Sequence, residues 1–226
     1  MKKINVIITG ATGMIGESVL DQCLRHPNIN KVLVISRRTI GIQHPKLIEK
    51  VLEEITEISA IKDLLINYNA CFFCVGVSSL GMDEVTFTKL TYTLTMDFAT
   101  CLSEINPNMT FCYISGAGTD STEKGRTMWA RVKGKTENDL QKLPFNQVYN
   151  FRPGALIPYL RVKPTQTYQS VKYLKWLLVL LRPIFPNSII KLSDFAYAMI
   201  NSVLIGSPVN TLESKDIKKL SEVKLS

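Results

Sequence analysis

The chain predicts an α/β fold: a doubly wound parallel sheet flanked by helices, with a small helical region built on towards its C-terminal end. Three observations carry this. An apolar, β-branched run from Ile4 to Ile8 meets Gly10, Gly13 and Gly16, spaced by two residues each, and a helical pattern follows at once. Further apolar strand-like runs then alternate with helix-like stretches, the pattern of parallel strands covered on both faces. With 226 residues, 46% hydrophobic and 20% charged, the chain can bury a large core.

In the first unit, Ile15, Val19 and Cys23 share a helical face, with Leu20 and Leu24 beside them. Strand, glycine-rich turn and helix form the context a dinucleotide fingerprint needs. A side chain at Gly10 or Gly13 would hold a diphosphate away from the backbone N–H groups and the positive end of the helix, and Gly16 lets helix and strand pack closely. The second strand, Lys31 to Ile35, ends in Ser36-Arg37-Arg38. An acidic residue about 20 positions past the glycines accepts from the ribose 2′-OH where NAD is preferred. Here that place holds a hydroxyl followed by two guanidinium groups, which suit a 2′-phosphate. NADP(H) is therefore expected over NAD(H).

Lys46 to Leu52 reads as the third strand, followed by Glu53-Glu54 and a helical stretch from Ser59 to Asn67. Ala70 to Val75 is the fourth strand and ends in Gly76-Val77, where the backbone is expected to pass close to a cofactor or a neighbouring chain. From Asp83 to Glu104 the threonines favour strand, but Phe87, Leu90, Leu94, Phe98, Cys101 and Ile105 keep a helical period, and the length decides for helix. Met109 to Ser115 is the fifth strand, Lys124 to Lys142 an amphipathic helix, and Asn146 to Phe151 the sixth strand, closed by Arg152-Pro153-Gly154. Tyr173 to Leu181 concentrates Trp176 and, among Leu177 to Leu181, four leucines, between basic residues. It falls short of the ~20 apolar residues of a membrane span and reads as a lid or core helix, a subunit interface such as a homodimer's, or a membrane-surface helix. Ser193 to Ile205 is another helix, and the tail from Asn210 reads as surface. Residues 1–226 are thus expected to form one domain, with 155–205 as its substrate, lid or interface portion.

The 27 basic and 19 acidic residues give a net charge of +8. They are spread along the chain without a basic block, so nucleic acid is not the expected partner. Cys23, Cys71, Cys74, Cys101 and Cys112 are odd in number and lie mostly in apolar runs. With no secretory leader pattern they are expected to be reduced structural thiols in a cytoplasmic protein, and no metal site is expected.

Taken together, Thr9 to Gly16, Ser36-Arg37-Arg38, Ser115, Val132-Lys133-Gly134-Lys135-Thr136-Glu137 and Phe151 to Leu156 resemble the short-chain dehydrogenase/reductase superfamily. The nearest likeness within it is to its atypical, Tat-interacting-protein-type and epimerase-like NADP-binding members, with a Rossmann-like fold. The resemblance implies that the turn of Gly10, Thr12, Gly13, Met14, Ile15 and Gly16 holds a pyrophosphate, and that Ser36, Arg37 and Arg38 hold the 2′-phosphate. It implies that Val75, Gly76 and Val77 lie along the ribose and adenine side, with Glu53 or Glu54 near the adenine. Ser115 would stand by the nicotinamide and the substrate's reacting oxygen. Lys133 would bind the nicotinamide ribose, and Pro153, Gly154 and Leu156 would pass the carboxamide.

One position departs. The family's active-site tyrosine sits four residues before the lysine, and here that residue is Trp129. An indole N–H donates a hydrogen bond but is no acid or base near neutral pH, so the usual Ser-Tyr-Lys mechanism is not available. Tyr113, Tyr149, Tyr159 and Tyr168 are possible substitutes. An oxidoreductase acting on a small carbonyl substrate is the leading expectation. An NADPH-binding regulatory protein with little catalysis, or an epimerase-like enzyme, is the alternative.

Overall fold

A computed structural model describes residues 3–157 and 188–223. Its centre is a seven-stranded sheet, parallel throughout, in the order β3-β2-β1-β4-β5-β6-β9. These strands are β1 (Ile4–Thr9), β2 (Ile29–Ser36), β3 (Leu47–Val51), β4 (Ala70–Phe73), β5 (Thr110–Ile114), β6 (Gln147–Arg152) and β9 (Thr211–Glu213). The order reverses between β1 and β4, which opens a crevice at the carboxyl ends of the strands. A second, two-stranded sheet pairs β7 (Ala155–Ile157) with β8 (Ile189–Lys191).

Alternate side chains go to opposite faces of a strand, and both faces here are apolar. Val6, Ile8, Val32, Val34, Phe72, Cys112 and Phe151 meet α1 (Met14–Arg25), α6 (Leu192–Leu204) and α7 (Ser214–Ser221). Ile7, Leu33, Ile35, Phe73, Phe111 and Tyr113 meet the other layer. That layer is a 3₁₀ helix at Ile55–Ile61, α2 (Lys62–Leu65), α3 (Glu84–Thr88), a π turn at Lys89–Thr93, α4 (Leu94–Ile105) and α5 (Met128–Leu140). Phe73 anchors it, with ring centroids 5.3 Å from Phe98 and 5.8 Å from Phe111.

Several expectations need correction. The tail is not surface: β9 extends the main sheet and buries Leu212, and α7 buries Ile217 and Leu220. The stretch with the threonines after Asp83 is helical, but the helix over 84–105 is interrupted by its π turn. Past that turn Thr95, Phe98, Ala99 and Leu102 are buried, while Leu94, Cys101 and Ile105 are only partly so. The stretch from Ser59 to Asn67 holds one turn of α helix, preceded by 3₁₀. The expected helix from Lys124 begins at Met128, because Asp120 ties the preceding loop by accepting from Thr122 and from the Gly125 amide. The apolar stretch from Tyr173 to Leu181, with most of the region 155–205, lies outside the described residues.

Among the described residues no helix is long and apolar enough to cross a membrane. All five cysteines are free. No group of potential ligands that could hold a metal ion is found among the described residues.

Candidate functional site

The first turn sits at the reversal point of the sheet. Gly10 adopts φ +66°, and a Cβ there would lie 2.5 Å from the Cys74 carbonyl oxygen. Gly10 is thus needed for the turn to pass the chain just beyond β4. A Cβ at Gly16 would fall on the Gly10 carbonyl, so Gly16 does allow the close packing of helix on turn. Gly13 caps α1 with its backbone alone; no side chain caps the helix, and Thr12 and Gly13 are exposed beside half-buried Met14 and Ile15. Among the described residues the first amides of α1 have no side-chain acceptor, the arrangement that suits an anion.

Register brings the second basic corner to this turn. Thr9 pairs with Ile35, so Gly10 and Ser36 each follow directly on the last pair of the two neighbouring strands. Ser36 is buried and its hydroxyl donates to the Arg38 carbonyl at 2.8 Å. That bond shapes the loop that carries Arg37 and Arg38. Arg37 and Arg38 are exposed, and neither is in an ion pair among the described residues. Both glutamates after β3 are exposed, and Glu54 caps the 3₁₀ helix in a reciprocal box with Glu57. Val75 packs against the core and Val77 is half-buried; between them Gly76 is exposed, and a Cβ there would meet nothing within 4 Å. No described part of the chain crowds Gly76, which leaves the cofactor as the remaining one of the two neighbours expected there.

At the far end, α5 carries Lys133 and Glu137 one turn apart. The Lys133 ammonium donates to the Ser115 carbonyl, and burial lowers its pKa, opposed by the charge of Glu137. Ser115 is buried, and its hydroxyl donates to Glu137 and to the Phe151 carbonyl at 3.2 Å. The hydroxyl is thus turned into the interior in this structure, towards Glu137. Glu137 also accepts from Arg152, through Nε at 3.0 Å and through a second guanidinium nitrogen. Arg152 in turn reaches Glu213 at 3.2 Å and the Ser121 hydroxyl at 2.5 Å.

Next to this cluster, Trp129 is half-buried and lies along the glycine loop after β5, 3.6 Å from where a Gly118 Cβ would stand. Gly134 admits the Asp120 backbone, whose carbonyl a Cβ would strike. Pro153 is buried and its carbonyl accepts from the Ala117 amide at 2.9 Å; the Gly154 amide donates to the Ser214 hydroxyl at 2.8 Å; Leu156 lies in β7. The substitute phenols fare poorly. Tyr113 is buried, and burial pushes its phenol well up; Tyr149 is buried with its hydroxyl accepting from the Ser207 amide at 2.9 Å. Tyr159 and Tyr168 lie outside the described residues. Sequence reading gave no role to Glu137, Arg152, Glu213 or Ser214. The one available signal was a charge inside an otherwise apolar stretch, as at Arg152 directly after Phe151.

No family model matches the chain. Among curated proteins, it is 26% identical over 214 residues to "Protein FMP52, mitochondrial" of Candida albicans, covering 89% of this chain and 91% of that protein. It is 23% identical over 160 residues to "Protein HTATIP2" of Rattus norvegicus, covering 70% of this chain and 64% of that protein. Among solved structures, the Bordetella bronchiseptica enzyme WbmF in complex with NAD+ matches with a TM-score of 0.67 at 15% identity, covering 96% of this chain and 77% of that one. The UDP-N-acetylglucosamine 4-epimerase of Methanobrevibacter ruminantium matches with a TM-score of 0.65 at 15% identity, covering 93% and 76%. The fold is therefore that of Rossmann epimerases and dehydrogenases, and the FMP52 and HTATIP2 relatives fit the atypical short-chain dehydrogenase/reductase likeness. The expected cytoplasmic location is corrected: the FMP52 relatives from Candida, Aspergillus and Meyerozyma are all named mitochondrial. Free buried thiols report on packing and local redox chemistry, and they carry no compartment address.

Proposed function

We propose that the chain is an NADP(H)-dependent oxidoreductase of the atypical short-chain dehydrogenase/reductase type, acting on a small carbonyl substrate. The observation that carries this is the shared edge: the uncapped start of α1 follows β1, Arg37 with Arg38 follow the adjacent β2, and Lys133 on α5 donates to the Ser115 carbonyl just past β5, all at the carboxyl ends of strands of one parallel sheet. The named NAD+ complex of WbmF supports a nicotinamide dinucleotide as the ligand class. The residues fit such a group: free helix amides for the pyrophosphate, guanidinium groups for a 2′-phosphate, and open space at Gly76 for the ribose side.

When bound, NADPH supplies a hydride to a carbonyl carbon. The chain's part is to position the dinucleotide and to deliver a proton. Lys133 holds the nicotinamide ribose, and its ammonium, made more acidic by burial, is the proton source at this end. Trp129 donates its indole N–H or packs against the ring, without transferring a proton. The FMP52 relatives' names support a mitochondrial location.

A second reading has its own observation. Ser115 is turned to Glu137, Trp129 stands in the tyrosine position, and the phenols of Tyr113 and Tyr149 are buried. A protein that binds NADPH without turning over substrate fits those facts too. Titration with NADPH and NADH tests the cofactor: we expect NADPH to bind at least about tenfold tighter, a difference of ~1.4 kcal/mol, and Arg37→Ala with Arg38→Ala to remove the preference. Equal affinities in the wild type would defeat the assignment. Turnover of NADPH with a panel of aldehydes, ketones and quinones then separates the two readings, and activity gained in Trp129→Tyr would mark a site that has lost its phenol.

A further inference from the structure

The side chains around Lys133 form a closed charge arrangement that the dinucleotide reading does not use. Glu137 is 2% exposed and Ser115 4%. The Arg152 side chain is 12% exposed, and its Glu213 partner 46%. Glu137 accepts from the Ser115 hydroxyl and from two nitrogens of Arg152, while the Ser115 carbonyl accepts from Lys133. One carboxylate thus fixes the end of β5, the end of β6 and, through Arg152, the Ser121 loop and the end of β9. The charged or titratable groups facing this centre are Lys133 and Glu137 from α5, Tyr113 from β5, Arg152 from β6 and Glu213 from β9.

We propose that Glu137 is the positioning residue for Lys133: it holds the Ser115 segment that Lys133 donates to, and its charge offsets Arg152 so that Lys133 stays an ammonium at the nicotinamide end. This rests on the reading of Lys133 as a dinucleotide contact. Physically, the Glu137 charge favours the neighbouring ammonium, and Arg152, paired with that same carboxylate, takes up part of it. Removing the carboxylate and removing the guanidinium should therefore act on Lys133 with opposite signs. Burial alone lowers the lysine's pKa, and Glu137 opposes it. The ammonium is present at low pH and is lost as pH rises through its folded midpoint, so a lower midpoint means affinity lost earlier on the alkaline side.

The experiment is NADPH binding followed by fluorescence from neutral to strongly alkaline pH, for the wild type, Lys133→Met, Glu137→Gln and Arg152→Gln. Wild-type affinity is expected to fall with rising pH, and Lys133→Met to bind more weakly without that fall. If Lys133→Met binds as tightly as wild type, the Lys133 contact itself is wrong. Given that contact, Glu137→Gln should move the midpoint down by about one pH unit or more and Arg152→Gln should move it up by a similar amount. Weaker binding in both variants with an unmoved midpoint would make the pair a structural brace only and overturn the proposal. If Glu137→Gln does not fold, the upward shift in Arg152→Gln decides alone, and its absence has the same consequence.

Discussion

Glu17 shows how one side chain ties the first turn to pH. It lies in the first turn of α1, where a carboxylate is ordinarily favoured by the helix dipole. Half-burial, with Asp21 one turn further on, instead pushes its pKa up to about 7. A carboxyl raised in the fold is favoured protonated, so its contribution is fullest in acid and is lost as pH rises through that value. Glu17→Gln should leave the melting temperature unchanged in acid and raise it above neutral pH, read by thermal melts at two pH values. A variant that melts like wild type on the alkaline side would show the carboxyl to be well solvated. Ser36 makes a related point: its place in the sequence was legible, but the direction of its hydroxyl, towards the Arg38 carbonyl, was not. Sequence spacing locates a residue on a strand end; which way a short polar side chain turns is decided by the loop's own unsatisfied carbonyls.

At the level of elements, the long strands were readable because they are buried on both faces and so appear as unbroken apolar runs. The three-residue strands β7, β8 and β9 carry no period to read, and β9 offers a single buried residue, Leu212, between polar neighbours. The π turn at Lys89–Thr93 was hidden for another reason: it shifts the phase of a helix whose sequence keeps its apolar residues at the unshifted positions. Helix α5 sets two of these influences against each other at Gly134. Intrinsic propensity says that Gly134→Ala should stabilise a helix interior by up to ~1 kcal/mol. The structure says the opposite, because the new Cβ would strike the Asp120 carbonyl, which cannot move away cheaply while Asp120 is held by Thr122 and Gly125. We expect a net loss of about 1–3 kcal/mol in denaturant unfolding. A gain would mean that the loop from Gly116 to Thr127 yields freely, and with it the shelf on which Trp129 rests.

For the molecule as a whole, the tail closes the site from behind. Residues that read as surface become the seventh strand and a covering helix, and they reach the carboxyl edge of the sheet through two side chains. Glu213 pairs with Arg152, and the Ser214 hydroxyl accepts from the Gly154 amide. Gly154 has no room for a side chain, since a Cβ would lie 2.5 Å from the Ser188 carbonyl oxygen, so this backbone is held from both sides. The segment that the dinucleotide reading assigns to the carboxamide is therefore positioned by the last helix of the sheet layer, ~60 residues away in sequence. Ser214→Ala removes the acceptor and leaves a half-buried amide unpaired, at a cost of about 1–3 kcal/mol. Were Ser214 only a tail contact, the variant would lose stability and keep its NADPH affinity. If the tail supports the site, affinity falls as well, and the loss should persist at temperatures far below the melting transition, where calorimetry and NADPH titration on the same sample separate the two outcomes.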